Sequence, residues 1–212
     1  MKRIIFYHML LMSMLFSACS SPTPSATARP VTPESATTEP ITSATTPPET
    51  LEPTTEADMS FKLTSDAFAN GQSIPAKYSC VGKNISPALA WTEPPASTGS
   101  FALIVEDPDA PGGTWTHWVL FNIPADRRSL EEDLPITGKN VDPNAIYVGK
   151  NSWGDIGYGG PCPPSGTHRY FFKLYALDAV ISLLPGATKE QLLKEMKDHT
   201  LAQAELMGTF SK

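Results

Sequence analysis

Positive charge is scarce in this chain: 16 Lys and Arg stand against 22 Asp and Glu in 212 residues, a formal net charge of −6. No basic stripe or basic helix is present to neutralise phosphates, which argues against nucleic acid as a partner. The four histidines form no His-x-x-x-His pair, so the tight spacing of a helical zinc site is missing. A spanning segment is missing too, because the N-terminal apolar run from Ile4 to Phe16 is well short of the roughly 20 residues a bilayer core requires. Nor is there a repeat of fixed period or a βαβ alternation, which excludes a solenoid and disfavours a parallel sheet.

What the N-terminus does have is Lys2 and Arg3, then that apolar run, then Ser17 and Ala18 directly before Cys19. This is the layout of a bacterial export signal over residues 1–18. The small residue before the cysteine resembles the lipobox of bacterial lipoproteins, with Phe16 where Leu is usual. On that resemblance Cys19 becomes the first mature residue, carries lipid such as palmitate, and anchors the protein to the cell membrane or outer envelope, facing outside the cytoplasm. Residues 19–59 follow as a tether. Between Ser20 and Met59 lie eleven Thr and eight of the chain's 21 Pro, a composition with almost nothing to bury. As a flexible coil it spans on the order of 40 Å. Its six acidic side chains (Glu34, Glu39, Glu49, Glu52, Glu56, Asp58) against Arg29 alone give it −5.

Residues 60–212 form one domain, long enough to close a core. Cys80 and Cys162 lie within it, in a compartment where disulfides persist, and are read either as a bridge or as two buried thiols. Short segments rich in aromatic and β-branched residues predict strands at Phe61–Thr64, Phe101–Glu106, Thr116–Ile123, Ala145–Gly149 and Arg169–Leu177. A capping box at Thr188–Gln191 predicts a helix carrying Leu192, Leu193 and Met196, and a second helical stretch is expected from Thr200 to Met207, stopped by Gly208.

Chemistry concentrates in two stretches: Asp107-Pro108-Asp109-Ala110-Pro111 followed by His117-Trp118, and Gly159 through Tyr170. Strand alternation puts His168 and Tyr170 on one face, and His117 with Val119 and Phe121 on another. Each ionisable group lies at a strand end. If those ends converge, they build a pocket of two carboxylates, two imidazoles and a phenol, rimmed by the Gly/Pro loop 159–164. Plain turn chemistry is the competing account of Asp107 and Asp109. Two His and two Asp are also adequate ligands for a divalent metal, and Cys162 with His168 is a conceivable nucleophile and base for a hydrolase. The four Trp read as core and pocket wall, and Arg169 as a structural ion-pair partner.

These stretches, with Tyr78-Ser79-Cys80-Val81-Gly82-Lys83-Asn84-Ile85-Ser86-Pro87, Trp91 and Asn151-Ser152-Trp153-Gly154, resemble the phosphatidylethanolamine-binding protein family, in particular its bacterial and archaeal Raf kinase inhibitor-like branch. The resemblance covers essentially all of residues 60–212. It implies a mainly β, antiparallel two-sheet Greek-key fold with short C-terminal helices. It further implies a site for small anions and phosphorylated head groups at Asp107, Asp109, Pro111, His117, Gly160, Pro161, His168 and Tyr170, with no cofactor, no metal and no catalysis. In this reading Gly160 lets a ligand approach backbone N–H groups. A protein partner is open within the branch.

Overall fold

The computed structural model describes residues 60–135 and 146–212. The expected signal and tether, and the expected strand start at Ala145, lie outside the described residues. Among the described residues no helix is long and apolar enough to cross a membrane.

The elements in chain order are β1 (Leu63–Thr64), a short 3-10 turn (Ala76–Tyr78), β2 (Leu89–Trp91), β3 (Ser100–Asp107), β4 (Trp115–Pro124), β5 (Ser129–Leu130), β6 (Tyr147–Val148), β7 (Thr167–Leu177), α1 (Lys189–Glu195) and β8 (Thr200–Ser211). They build two antiparallel sheets, one of three strands ordered β1-β2-β5 and one of five ordered β6-β4-β3-β7-β8. β3 is the central strand. Its apolar run Phe101–Val105 is buried on both faces, as a strand covered from two sides requires.

Odd-numbered β3 residues Phe101, Leu103 and Val105 face a core shared with Leu63, Leu89, Trp91 and Leu130 of the small sheet. Even-numbered Ala102 and Ile104 face a second core closed by Leu192 and Met196. Each such fully buried Leu, Ile or Phe contributes about 1.5–3 kcal/mol of transfer free energy. The Thr188–Gln191 capping box is present and starts α1 as the sequence predicts, although Leu193 turns outward at 39% exposure.

The expected second helix is instead β8, paired with β7 from Thr200 to Ser211. Leu201-Ala202-Gln203-Ala204-Glu205-Leu206 has good helix formers, but Ala204, Leu206 and Phe210 alternate into the first core. The edge of β7 and the apolar face on offer there outweigh weak local propensity. Gly208 fits because a Cβ there would lie 2.5 Å from Ile74 Cγ1 and 2.8 Å from Phe68. β2 and β5 also escaped the strand pattern, being only three and two residues long.

Two irregularities on β4 matter for the site. Val105 pairs with Trp118 and Glu106 with Thr116, so His117 is an extra residue on β4 and forms a bulge. Further along, Phe101 pairs with Ile123 and Leu103 with Leu120. Asn122 lies in that second irregularity with φ of 57°, a conformation Asn tolerates better than most residues. Its amide bonds both the N–H and the C=O of Ile181, at 2.8 and 3.0 Å.

Candidate functional site

Asp107 ends β3 on the same face as Leu103 and Val105, and His168 begins β7 on the face of Tyr170 and Phe172. Antiparallel pairing of β3 and β7 therefore brings them together: His168 Nδ1 lies 2.7 Å from Asp107 Oδ2, with both side chains buried. A carboxylate only accepts, so Nδ1 carries the hydrogen and Nε2 is left for other chemistry.

His117 reaches this face by way of its bulge. Regular alternation would have sent it with Val119 and Phe121 toward α1, and that expectation fails at this residue. A bulge re-aims a side chain by placing two residues opposite one. The His117 ring accordingly meets Tyr170 edge-on at 5.2 Å and Trp153 at 5.1 Å. Its Nδ1 donates to Gly159 O at 2.6 Å. Burial pushes the His117 pKa below its ordinary 6.5, partly offset by the Gly159 bond and the Asp107 charge. The resting ring is thus neutral near pH 7, with an unprotonated Nε2.

Asp107, His117 and His168 line a cleft of about 230 Å³ with Ala110, Pro111, Gly112, Trp115, Trp153, Cys162 and Pro164. Tyr170 is fully buried behind it. Its hydroxyl makes no hydrogen bond of good geometry but sits near the Asp107 carboxylate and the Cys162 backbone, and burial together with the Asp107 charge raises its pKa well above the tyrosine range. It stays a donor. Trp115 Nε1 is likewise buried without a partner, and neither histidine Nε2 has one among the described residues. Trp91 and Trp118 Nε1, away from the cleft, are unpartnered as well, so what marks the cleft is the pair of imidazoles and Trp115 along one open space.

Asp109 does not enter the cleft wall as Asp107 does. Its backbone N–H donates to Asp107 Oδ1 at 2.8 Å, and its carboxylate is taken by Arg169. Arg169 N, Nε and NH2 donate to it at 2.9, 3.0 and 2.7 Å. These bonds hold its pKa at about 2. Arg169 is thus an ion-pair partner, as the sequence suggests, and the pair braces the Asp107 turn against β7.

Gly160 and Pro161 are buried, and neither lines this cleft. The Gly160 N–H donates to Asn84 Oδ1 at 2.7 Å, and a Cβ on Gly160 would lie 2.2 Å from Tyr78 O. In this structure the glycine permits the 159–164 loop to pack on residues 78–79, whereas the sequence suggested ligand access to its N–H. Pro161 O accepts from Cys80 N at 3.1 Å, and Cys80 is bridged to Cys162 with a Cα–Cα distance of 5.4 Å. The bridged sulfur leaves no thiolate for a Cys162/His168 hydrolase. Among the described residues no three His, Cys, Asp or Glu side chains are placed to hold a metal ion.

Sequence reasoning missed the bulge, the Gly159 carbonyl that sets the His117 tautomer, and Asn84 as a clamp on the loop. Only Asn84, inside a motif already singled out, left a visible signal.

The arrangement matches known proteins. The family model described as phosphatidylethanolamine-binding protein matches residues 64–211. A UPF0098 protein of Methanothermobacter thermautotrophicus is 51% identical over 150 residues, covering 71% of this chain and 98% of that one. The crystal structure of a putative phosphatidylethanolamine-binding protein homologue, CT736, from Chlamydia trachomatis superposes with a TM-score of 0.67 at 45% identity, covering 73% of this chain and 99% of that one. E. coli YbcL, described as a new member of the mammalian family, gives a TM-score of 0.67 at 33% identity, with 72% and 98% covered. With a family model matched over residues 64–211 and relatives of this identity and coverage, the chain belongs to the phosphatidylethanolamine-binding protein family.

Proposed function

We propose that this protein is a lipid-anchored binding module that captures small anions, phosphate monoesters above all, in the cleft between His117 and His168. The observation that carries the reading is one cleft lined by Asp107, Trp115, His117 and His168, in which Asp107 and Gly159 engage the two Nδ1 atoms and leave both Nε2 atoms, with the unpartnered Trp115 Nε1, to a ligand. The Asp107 bond leaves His168 Nε2 available to a ligand oxygen, and protonated His168 would make that bond charge-assisted. Neutral His117 takes a proton from solvent as the anion binds, and then donates through Nε2. Selectivity then comes from the stiff wall of Pro111, Pro164 and the two tryptophans.

Cys19 is the proposed lipid attachment point, which would hold the domain outside the cytoplasmic membrane on its Thr/Pro-rich tether. A module so placed suits presentation of a captured ligand to a partner protein, or regulation of that partner. Titration of inorganic phosphate, followed by tryptophan fluorescence, tests the anion reading. A saturable change lost in His168→Ala supports it; an unchanged signal at saturating phosphate contradicts it. Membrane fractionation of Cys19→Ala tests the anchor, which predicts release from the membrane.

A further inference from the structure

A second cleft, of about 300 Å³, lies on the other side of Trp153 and is lined by Cys80, Asn84, Asn151, Asp155, Ile156, Tyr158, Gly159, Gly160 and Cys162. Trp153 and Cys162 are walls of both clefts. The anion reading makes no use of this space, and of the Asn151-Ser152-Trp153-Gly154 run that borders it uses only the opposite side of Trp153.

Its chemistry is the reverse of its neighbour's. Asp155 is exposed at the wall, and its carboxylate makes no hydrogen bond or ion pair among the described residues. Trp153 is 47% exposed, although its ring packs on Gly159, where a Cβ would lie 2.5 Å away. It also meets Trp115 and His117 edge-on at 5.4 and 5.1 Å. These contacts fix the ring without covering it. Buried Asn151 holds the two residues in one rigid loop, its Oδ1 accepting from Trp153 N and Asp155 N, both at 3.0 Å. An immobilised, half-open indole beside an unpaired carboxylate is the combination that attracts a planar cation, by ring stacking and by charge. The Tyr158 ring and Ile156 add apolar surface for the carbon stem. The Tyr158 hydroxyl is already committed to Tyr78 O at 2.9 Å and does not compete.

We infer that the cleft between Trp153 and Asp155 is a separate binding site for a guanidinium group. An arginine side chain of a polypeptide and free arginine share this chemistry. The site goes beyond the anion reading and does not depend on it: the two clefts share the Trp153 wall, but Asp155 lines only this one.

The test uses the full chain and three probes: arginine blocked at both ends as acetyl and methylamide, free arginine, and blocked citrulline as the neutral isostere. Binding is followed through the Trp153 indole N–H resonance, assigned by Trp153→Phe. The expected result is a saturable shift with blocked arginine, none with citrulline, and about tenfold weaker binding in Asp155→Asn, the scale of one lost charge-assisted contact. His168→Ala, which touches neither Trp153 nor Asp155, should bind blocked arginine as the parent does, so failure of the anion reading leaves this site standing. Tighter binding of blocked than of free arginine assigns the site to a polypeptide, and the converse assigns it to the free amino acid. No shift with either arginine probe, an equal shift with citrulline, or unchanged affinity in Asp155→Asn overturns the inference.

Discussion

Asp107 and His168 are 61 residues apart in the chain and 2.7 Å apart in space, joined because β3 and β7 run side by side in the large sheet. Asp107 also receives the Asp109 N–H at 2.8 Å on its other oxygen. Asp107→Asn removes the charge while keeping the shape, and is expected to lower stability by about 1–3 kcal/mol, the cost of weakening a buried hydrogen-bond pair. Urea unfolding at neutral pH measures this; an unchanged midpoint would mean that the pair orients His168 without stabilising the fold.

The pH dependence of stability divides into two windows. His117 has a folded pKa depressed below 6.5 by burial, so its neutral form is favoured by folding. That stability is present above the unfolded pKa and is lost as pH falls through the folded one. Asp109, held at about 2 against an ordinary 3.8, acts in the same sense but only below about pH 4. Denaturant midpoints should therefore fall between pH 7 and 5, and His117→Gln should flatten that part of the profile while leaving the acid limb intact. A slope between pH 7 and 5 that survives His117→Gln would assign it to another group.

The Cys80–Cys162 bridge spans a sequence separation of 82. On the chain-entropy model a loop of that size contributes about 3–5 kcal/mol. Cys80→Ala/Cys162→Ala, or the protein under strong reductant, should unfold at clearly lower denaturant. Equal midpoints with and without reductant would contradict the contribution.

Gly160→Ala tests how the loop is held. The added methyl would lie 2.2 Å from Tyr78 O and 2.6 Å from Asn84 Oδ1, both fixed by neighbouring hydrogen bonds, so the loop must shift. A loss of about 1–3 kcal/mol, typical of overpacking a close-packed site, is expected in thermal or urea unfolding. A neutral substitution would show that the loop is looser than its contacts indicate.

The strands of the site were legible because β3, β4 and β7 are long enough to show their composition and end in Pro/Gly clusters. The pairing of Asp107 with His168 followed from alternation once those strands were neighbours. Alternation puts His117 on the wrong face because a bulge is set by cross-strand register, which no local pattern reports. Over β8 the local preference of Leu, Ala, Gln and Glu predicts a helix, while the open edge of β7 is a partner visible only in three dimensions. Gly160 looked like a ligand-access glycine because sequence cannot show that residues 78–79 lie against it.

Calorimetric titration of phosphate and phosphoethanolamine into the purified protein, beside the His117→Ala/His168→Ala variant, tests the central claim most directly. Run at pH 7 in buffers of different ionisation enthalpy, it also counts protons. The account predicts binding that takes up a proton, strengthens as pH falls from 7 toward 5, and disappears in the double variant. Absence of binding in the parent, or equal binding in the variant, would contradict an anion site between the two histidines.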